Sequence, residues 1–268
     1  MPIGFAKVHL NGYILGTPEP QLAGNIHLVR AVVAVRRLKK PPGESDRRIL
    51  EIFRVPVVAL KHQQATLERN YRPGQAISLV GHIEPRPLKD HVPGEDDKPV
   101  DVVIDRFLAS AGPLRATGDR PDGFEGEGLA DTIVVGFVHR APTLSTNGQG
   151  LPIARCAVAV TRSRIDPDHP TRLIDVVTRI SILAFNKNAT QMVKDYQPGH
   201  SIIIDGKLRE HIRQSQLANQ PDPIVHVMVD RFVLLSELNL AGTMFHRQPR
   251  ATPVSIPMSD HHPPQGSA

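Results

Sequence analysis

Along residues 28–37 the apolar positions alternate: Val29, Ala31, Val33 and Val35 share one face, while Arg30, Val32, Ala34 and Arg36 share the other. A period of two sustained over ten residues predicts a half-buried β-strand. The pattern returns 125 residues later, where Ala154, Cys156, Val158 and Val160 point inward and Arg155 and Thr161 outward. The next strand places Ile174, Val176, Ile180 and Ile182 on one face and Asp175, Arg179 and Ser181 on the other. The period then changes. Ala189, Met192, Val193 and Tyr196 stand at i, i+3, i+4 and i+7, which predicts a short helix. The YQPG that follows stops it, because proline cannot continue a helix and glycine tolerates the turn. YRPG at Tyr71 to Gly74 ends an equivalent helix earlier in the chain. Strands over Ala76 to Ile83 and Ser201 to Leu208, each followed by a polar loop, and last strands ending at Phe107 and Phe232 complete the pattern.

The chain therefore repeats itself. VAVRR at Val33 to Arg37 falls on VAVTR at Val158 to Arg162, and Asp105, Arg106 and Phe107 fall on Asp230, Arg231 and Phe232. Without a gap, residues 30–108 match residues 155–233 at 21 of 79 positions, against about 5 expected from average composition. A long-period repeat that occurs twice must close a core in each copy, which predicts two domains rather than a solenoid. Three strands, a short helix and two strands in about 105 residues is the order of an OB-fold, a five-stranded, partly open barrel. The expected class is all-β, two tandem OB-folds over residues 1–110 and 131–240. A flexible linker rich in Gly, Pro and acidic residues covers 111–130, and a disordered Pro-rich tail covers 241–268.

Composition narrows the partner. A net charge of +5 and a pI near 9.6 point to a polyanion. Residues 1–110 carry +4 and 131–240 carry +2, so the basic excess lies on the repeats, where a binding surface would use it. Aromatic residues make up only 4%, which leaves few platforms for stacking bases. No apolar run approaches the ~18 residues of a spanning helix, and Met1 to Leu10 lacks the form of a signal peptide. The single cysteine, Cys156, cannot form an internal disulfide, so a reducing cytoplasm is expected; its inward parity predicts an inert buried thiol.

GLPIARCAVAVTR (Gly150 to Arg162), ILAFNKNATQMVKDYQPGHSIIIDGKL (Ile182 to Leu208), VMVDRFVLL (Val227 to Leu235) and the opening TIVVGFVHRAPTL (Thr132 to Leu144) resemble the successive core motifs of bacterial single-stranded DNA-binding proteins. The first copy resembles them more distantly, through NGYILGTPEP (Asn11 to Pro20) and VVALKHQQATLERNYRPGQAISLVGHI (Val57 to Ile83). The tandem arrangement is similar to the two-barrel form of that family. The resemblance implies coating of single-stranded DNA in replication, recombination or repair, with no cofactor, and a homodimer that presents four OB-folds. Where the family often places stacking aromatics, this chain has Lys39 and Arg164, Arg54 and Arg179, Leu88 and Arg213; Phe185 alone is aromatic, with Leu60 as its counterpart. The tail lacks the acidic tip by which the family recruits replication and repair enzymes, so that recruitment is not expected. An OB-fold adaptor of a replication or conjugation complex is the alternative.

The candidate DNA-binding residues are Arg30, Arg36, Lys39, Arg54, Arg86, Arg155, Arg164, Arg179, Phe185, Arg209 and Arg213. Taken singly, each arginine also reads as an ordinary solvated charge on a barrel's outer face. As equivalent pairs, Arg30 with Arg155 and Arg54 with Arg179 favour a nucleic-acid face. Phe185 either plugs the barrel or stacks on a base. Tyr71 and Tyr196 are expected in the core. No catalytic or metal site is expected: Asp260-His261-His262 lies in the tail, Asp166-Pro167-Asp168 lacks the rest of a calcium loop, and there is no P-loop, GxSxG or HExxH.

Overall fold

The computed structural model describes residues 4–23, 25–39, 49–86, 99–108, 127–165, 171–212 and 223–234. The first repeat runs β1 (Phe5–Ala23), β2 (Ile26–Lys39), β3 (Ile49–Leu60), α1 (His62–Asn70), β4 (Ala76–Pro85) and β5 (Val100–Phe107). The second runs β6 (Leu129–Val138), β7 (Thr143–Thr146), β8 (Pro152–Ile165), β9 (Leu173–Phe185), α2 (Asn186–Asp195), β10 (Ser201–Ile212) and β11 (Pro223–Leu234). The fold is all-β with an OB-type barrel in each repeat, as the alternation predicts.

Each barrel closes in the same way. β1 pairs antiparallel with both β2 and β4, and β3 meets β5 in a short parallel stretch that sets Val57 against Val102. In the second repeat β6 pairs with β8 and β10, and Ile182 of β9 stands against Val227 of β11, the same register 125 residues on. The helices are fastened alike. Gln63 Nε2 donates to the Asp105 carbonyl at 2.9 Å, and Asn188 Nδ2 donates to the Asp230 carbonyl at 3.1 Å. Tyr71 stacks on Phe107 with ring centroids 5.1 Å apart, and Tyr196 meets Phe232 edge-on at 5.2 Å, so both tyrosines serve packing. Burial, with help from Asp195, pushes the Tyr196 hydroxyl up to about 12. Cys156 is buried 3.7 Å from Met192 Sδ, and burial pushes its thiol up to about 12, which leaves it inert at neutral pH.

The repeats differ at their first strand. β1 is continuous over 19 residues and bends at a register shift between Leu15 and Glu19, with Gly16 at a φ of 70°. In the second repeat the equivalent stretch breaks into β6 and β7 around Ala141 and Pro142; a proline offers no N–H to a ladder. Close backbone approach fixes two glycines. A Cβ on Gly81 or on Gly206 would run into the carbonyl oxygen of Val103 or Met228, each at a bulge between strands.

The barrels share one sheet. β1 and β6 pair antiparallel from Phe5 opposite Val135 to Asn11 opposite Leu129, giving the strand order β2-β3-β5-β4-β1-β6-β10-β11-β9-β8-β7. Val8 faces Thr132 at the centre of a pseudo-two-fold, and Thr132 Oγ1 donates to the Lys7 carbonyl at 2.8 Å. The buried apolar residues of both barrels form one cluster. β6 begins at Leu129, inside the segment expected to be linker; residues 111–126 and the tail 241–268 lie outside the described residues, as do Asp166-Pro167-Asp168 and Asp260-His261-His262. Among the described residues no helix is long and apolar enough to cross a membrane.

Candidate nucleic-acid interface

Because β8 and β9 each bury alternate residues, their other residues face away from the core in register. Ile153 stands opposite Phe185, Arg155 opposite Leu183, Ala157 opposite Ser181 and Ala159 opposite Arg179. Arg155 is exposed, and Arg179, Ser181, Leu183 and Phe185 are half-buried. Phe185 shares this outward parity, so it is not a barrel plug; it ends β9 in extended geometry just before α2. Further along β8, Arg164 is exposed. β11 adds His226, whose Nδ1 lies 2.8 Å from Ser181 Oγ. A cavity of about 260 Å³ lies at this face, lined by Arg140, Thr143, Arg155, Ala157, Ser181, Leu183 and His226. A small cavity lined by both apolar side chains and guanidinium groups suits the face of a base beside a phosphate.

The same face of the first repeat is built differently. Arg30, the counterpart of Arg155, pairs with Asp101 through Nη2 and Oδ2, and Arg86 Nε donates to Asp101 Oδ1 at 2.9 Å. The side chains of Arg86 and Asp101 are each only 3% exposed. The expectation that Arg86 is a groove cation is therefore corrected: its guanidinium is buried because Asp101 draws it inward. Arg54, the counterpart of Arg179, is clamped by Glu210 of the second repeat, donating from its backbone N–H at 2.7 Å and from Nε at 2.8 Å. Arg209 crosses the other way. It pairs with Glu51 of the first repeat and lies over the Phe53 ring, 5.3 Å from the centroid. Arg36 is half-buried on the outward face of β2. The side chain of Lys39, and Arg213 and Leu88 altogether, lie outside the described residues.

Of the residues singled out in the sequence, the structure thus gathers Arg155, Arg179 and Phe185 on one face of the second repeat, with Arg164 on the same strand as Arg155. It ties Arg30, Arg54, Arg86 and Arg209 into ion pairs. Sequence reasoning missed the acids that do this. Asp101 carried a signal, an acid within the apolar run VDVVI at the position where the second repeat has His226, whereas nothing local marks Glu51 or Glu210.

A second cluster lies on the outer side of the central sheet. His82 Nδ1 donates to Asp105 Oδ1 at 2.6 Å and Nε2 faces Glu84 Oε1 at 3.1 Å, so a ring that serves both carboxylates is an imidazolium. Burial works against that charge, but the hydrogen bonds to Asp105 and Glu84 outweigh it and raise the pKa of His82 above its ordinary 6.5. The hydrogen bond from His82 holds Glu84 below its usual range; burial pushes Asp105 up, and the same ring overcomes this and holds it low. Arg162 of the second repeat reaches Glu84 at 3.4 Å.

Comparison with known proteins now adds to this geometry. Residues 129–235 match the model of the single-strand binding protein family. No curated protein matches the chain by sequence. Among solved structures, the wild-type single-stranded DNA-binding protein from Thermus aquaticus aligns over 86% of this chain and 93% of its own, at 18% identity and a TM-score of 0.60. A deletion mutant of the same protein aligns over 86% of this chain and 94% of its own, with the same identity and TM-score. At that identity the likeness is one of fold. Residues 129–235 of the second repeat, which carries the open basic face, are thus similar to the single-strand binding protein family, and the first repeat shares the second's barrel and strand order.

Proposed function

We propose that this protein coats single-stranded DNA, largely without sequence specificity, as a non-enzymatic factor of replication, recombination or repair in a reducing cytoplasm. The observation that carries the reading is the outward face of β8 and β9, where Arg155 and Arg179 stand in register with Leu183, Ser181 and Phe185 beside an open cavity. Guanidinium groups neutralise phosphates, Phe185 stacks on a base, and none of these side chains reads a base edge in a duplex groove. With three or four phosphate contacts on a single strand, the logarithm of the binding constant falls against log salt with a slope of about −2 to −3. Anisotropy titrations of labelled oligo-dT and of a duplex at two salt concentrations test this. Equal affinity for duplex, or a flat salt response, overturns it.

The working unit in this reading is a homodimer presenting four barrels. An exposed edge strand is a ready patch for self-association, but the first strands of the two barrels pair with each other inside the chain. What supports self-association instead is an apolar row across the outer face of the central sheet. Phe5 stands beside Val135, Val135 beside Ile203 and Ile203 beside Val233, with Phe5 45% and Val233 57% exposed. A self-complementary patch suffices for a two-fold dimer. Light scattering at micromolar concentration should give two chains for the wild type and one for Val233→Lys; a wild-type monomer removes the dimer.

A further inference from the structure

Resting on the single-stranded DNA reading above, we infer that only the second barrel holds the strand, and that Asp101 closes the groove of the first by occupying its cations from within. The chain contains its own control, since equivalent positions 125 residues apart share register. At His226 of the second repeat the first has Asp101, and at Arg209 it has Glu84. Two acids thus replace two bases on the face that a polyanion would follow, and a carboxylate there repels phosphate as well as engaging Arg30 and Arg86.

Burial gives a second, independent observation. On the outward parity of the first repeat, Leu28 and Val58 are 4% exposed and Pro56 is buried. Their counterparts Ile153, Leu183 and Ser181 are half-buried, and the latter two line the open cavity. A base needs an uncovered apolar surface to stack against, and the first barrel does not offer one at these positions. Arg54, which would flank such a path, is turned instead to Glu210 by a bidentate contact. The first barrel therefore acts as a partner for the second: its Glu51 and Arg54 hold Arg209 and Glu210 at the end of β10, the strand beside His226.

The test uses the full chain. Oligo-dT in which 5-bromodeoxyuridine replaces some thymidines is photocrosslinked to wild-type protein, and the crosslinked peptides are identified by mass spectrometry. Crosslinks confined to residues 127–234 support the inference; crosslinks to β2 or β3 overturn it. In parallel, Arg155→Glu, an exposed substitution, should keep the melting temperature and weaken oligo-dT binding at least tenfold. Binding within threefold of wild type overturns the confinement. Adding Glu84→Arg and Asp101→His to Arg155→Glu gives the first barrel the residues of the second, and a variant that melts cooperatively should recover binding; a cooperatively folded variant that recovers none overturns the assignment of closure to Asp101. Absence of wild-type binding to oligo-dT by anisotropy would instead overturn the single-stranded DNA reading itself, an outcome distinct from binding through both barrels.

Discussion

Asparagine at position 101 keeps the shape of the aspartate and removes its charge. Asp101 accepts from Arg86 Nε at 2.9 Å and also pairs with Arg30; Arg86 is 3% exposed at the side chain and Arg30 22%. In Asp101→Asn the Arg86 guanidinium would remain buried without the charge of Asp101 beside it. Removing one partner of a buried pair costs about 3 to 5 kcal/mol. The lower figure is the better expectation here, because asparagine still offers one acceptor oxygen and Arg30 is free to swing toward water. Since the barrels share a sheet, they should melt as one unit of roughly 200 residues, for which 1 kcal/mol corresponds to about 2–4 °C. Calorimetry should then show a fall of roughly 6–12 °C in melting temperature. Asp205→Asn supplies the contrast: it breaks the pair with Arg231, whose side chains are 44% and 82% exposed, and such pairs contribute about 0–1 kcal/mol. Replacing Arg86 and Asp101 together by Met and Leu should restore most of the loss, since the buried guanidinium goes with its carboxylate and Arg30, 22% exposed, can turn to water. An Asp101→Asn protein melting within about 2 °C of wild type, comparable to the effect of an exposed pair, would refute the reasoning.

The His82 cluster predicts a pH profile. The raised His82 contributes stability that is complete below its ordinary 6.5 and is lost as pH rises through its higher folded value, while the lowered Glu84 and Asp105 contribute above their ordinary 4.5 and 3.8 and lose it in acid. With Arg162, Arg164 and Lys7 also acting on the cluster, urea midpoints should decline above neutrality in wild type and stay flat there in His82→Gln; parallel curves would count against it. Phe185→Ala should weaken oligo-dT binding by ~1 to 3 kcal/mol if the ring stacks on a base; unchanged affinity in a folded variant would take the strand off this face. Arg164→Ala, an exposed substitution, should lower the salt slope by about 0.7, checked by anisotropy at four salt concentrations. Gly206→Ala drives a Cβ into the Met228 carbonyl and should cost about 1–3 kcal/mol in a urea melt, whereas Gly148→Ala, with open space around it, should be silent.

Much of the architecture is legible because periodicity reports which side of a strand is buried. Val29, Ala31, Val33 and Val35 are core as their parity requires, and the i, i+3 contacts of Ala189 and Met192 do mark a helix. The repeat then carries each reading from one copy to the other. Parity does not report partners, however. It put Arg30, Arg54, Arg155 and Arg179 on outward faces without showing that Arg30 and Arg54 are held by carboxylates distant in sequence. Glu210 reaches Arg54 across 156 positions, and such a contact leaves no local trace. The junction of β1 and β6 was hidden for the same reason: Phe5 to Asn11 alternates as any edge strand does, and its partner depends on which other edge it meets. Arg86 is the clearest loss, since a lone arginine after a strand reads as surface unless the buried acid beside it is known.

The pairing of β1 with β6 bears on how this protein is able to change. When two identical chains join across a symmetry axis, every substitution appears in both halves, and a harmful one is harmful twice. Here the axis near Val8 and Thr132 falls within one polypeptide, so each half carries its own residues. An aspartate at the place of His226 in both halves would set like charges along both grooves; confined to position 101, it leaves Arg155 and Arg179 untouched. Covalent joining of the halves thus lets the two surfaces diverge independently, with their one-to-one ratio guaranteed by translation of a single message.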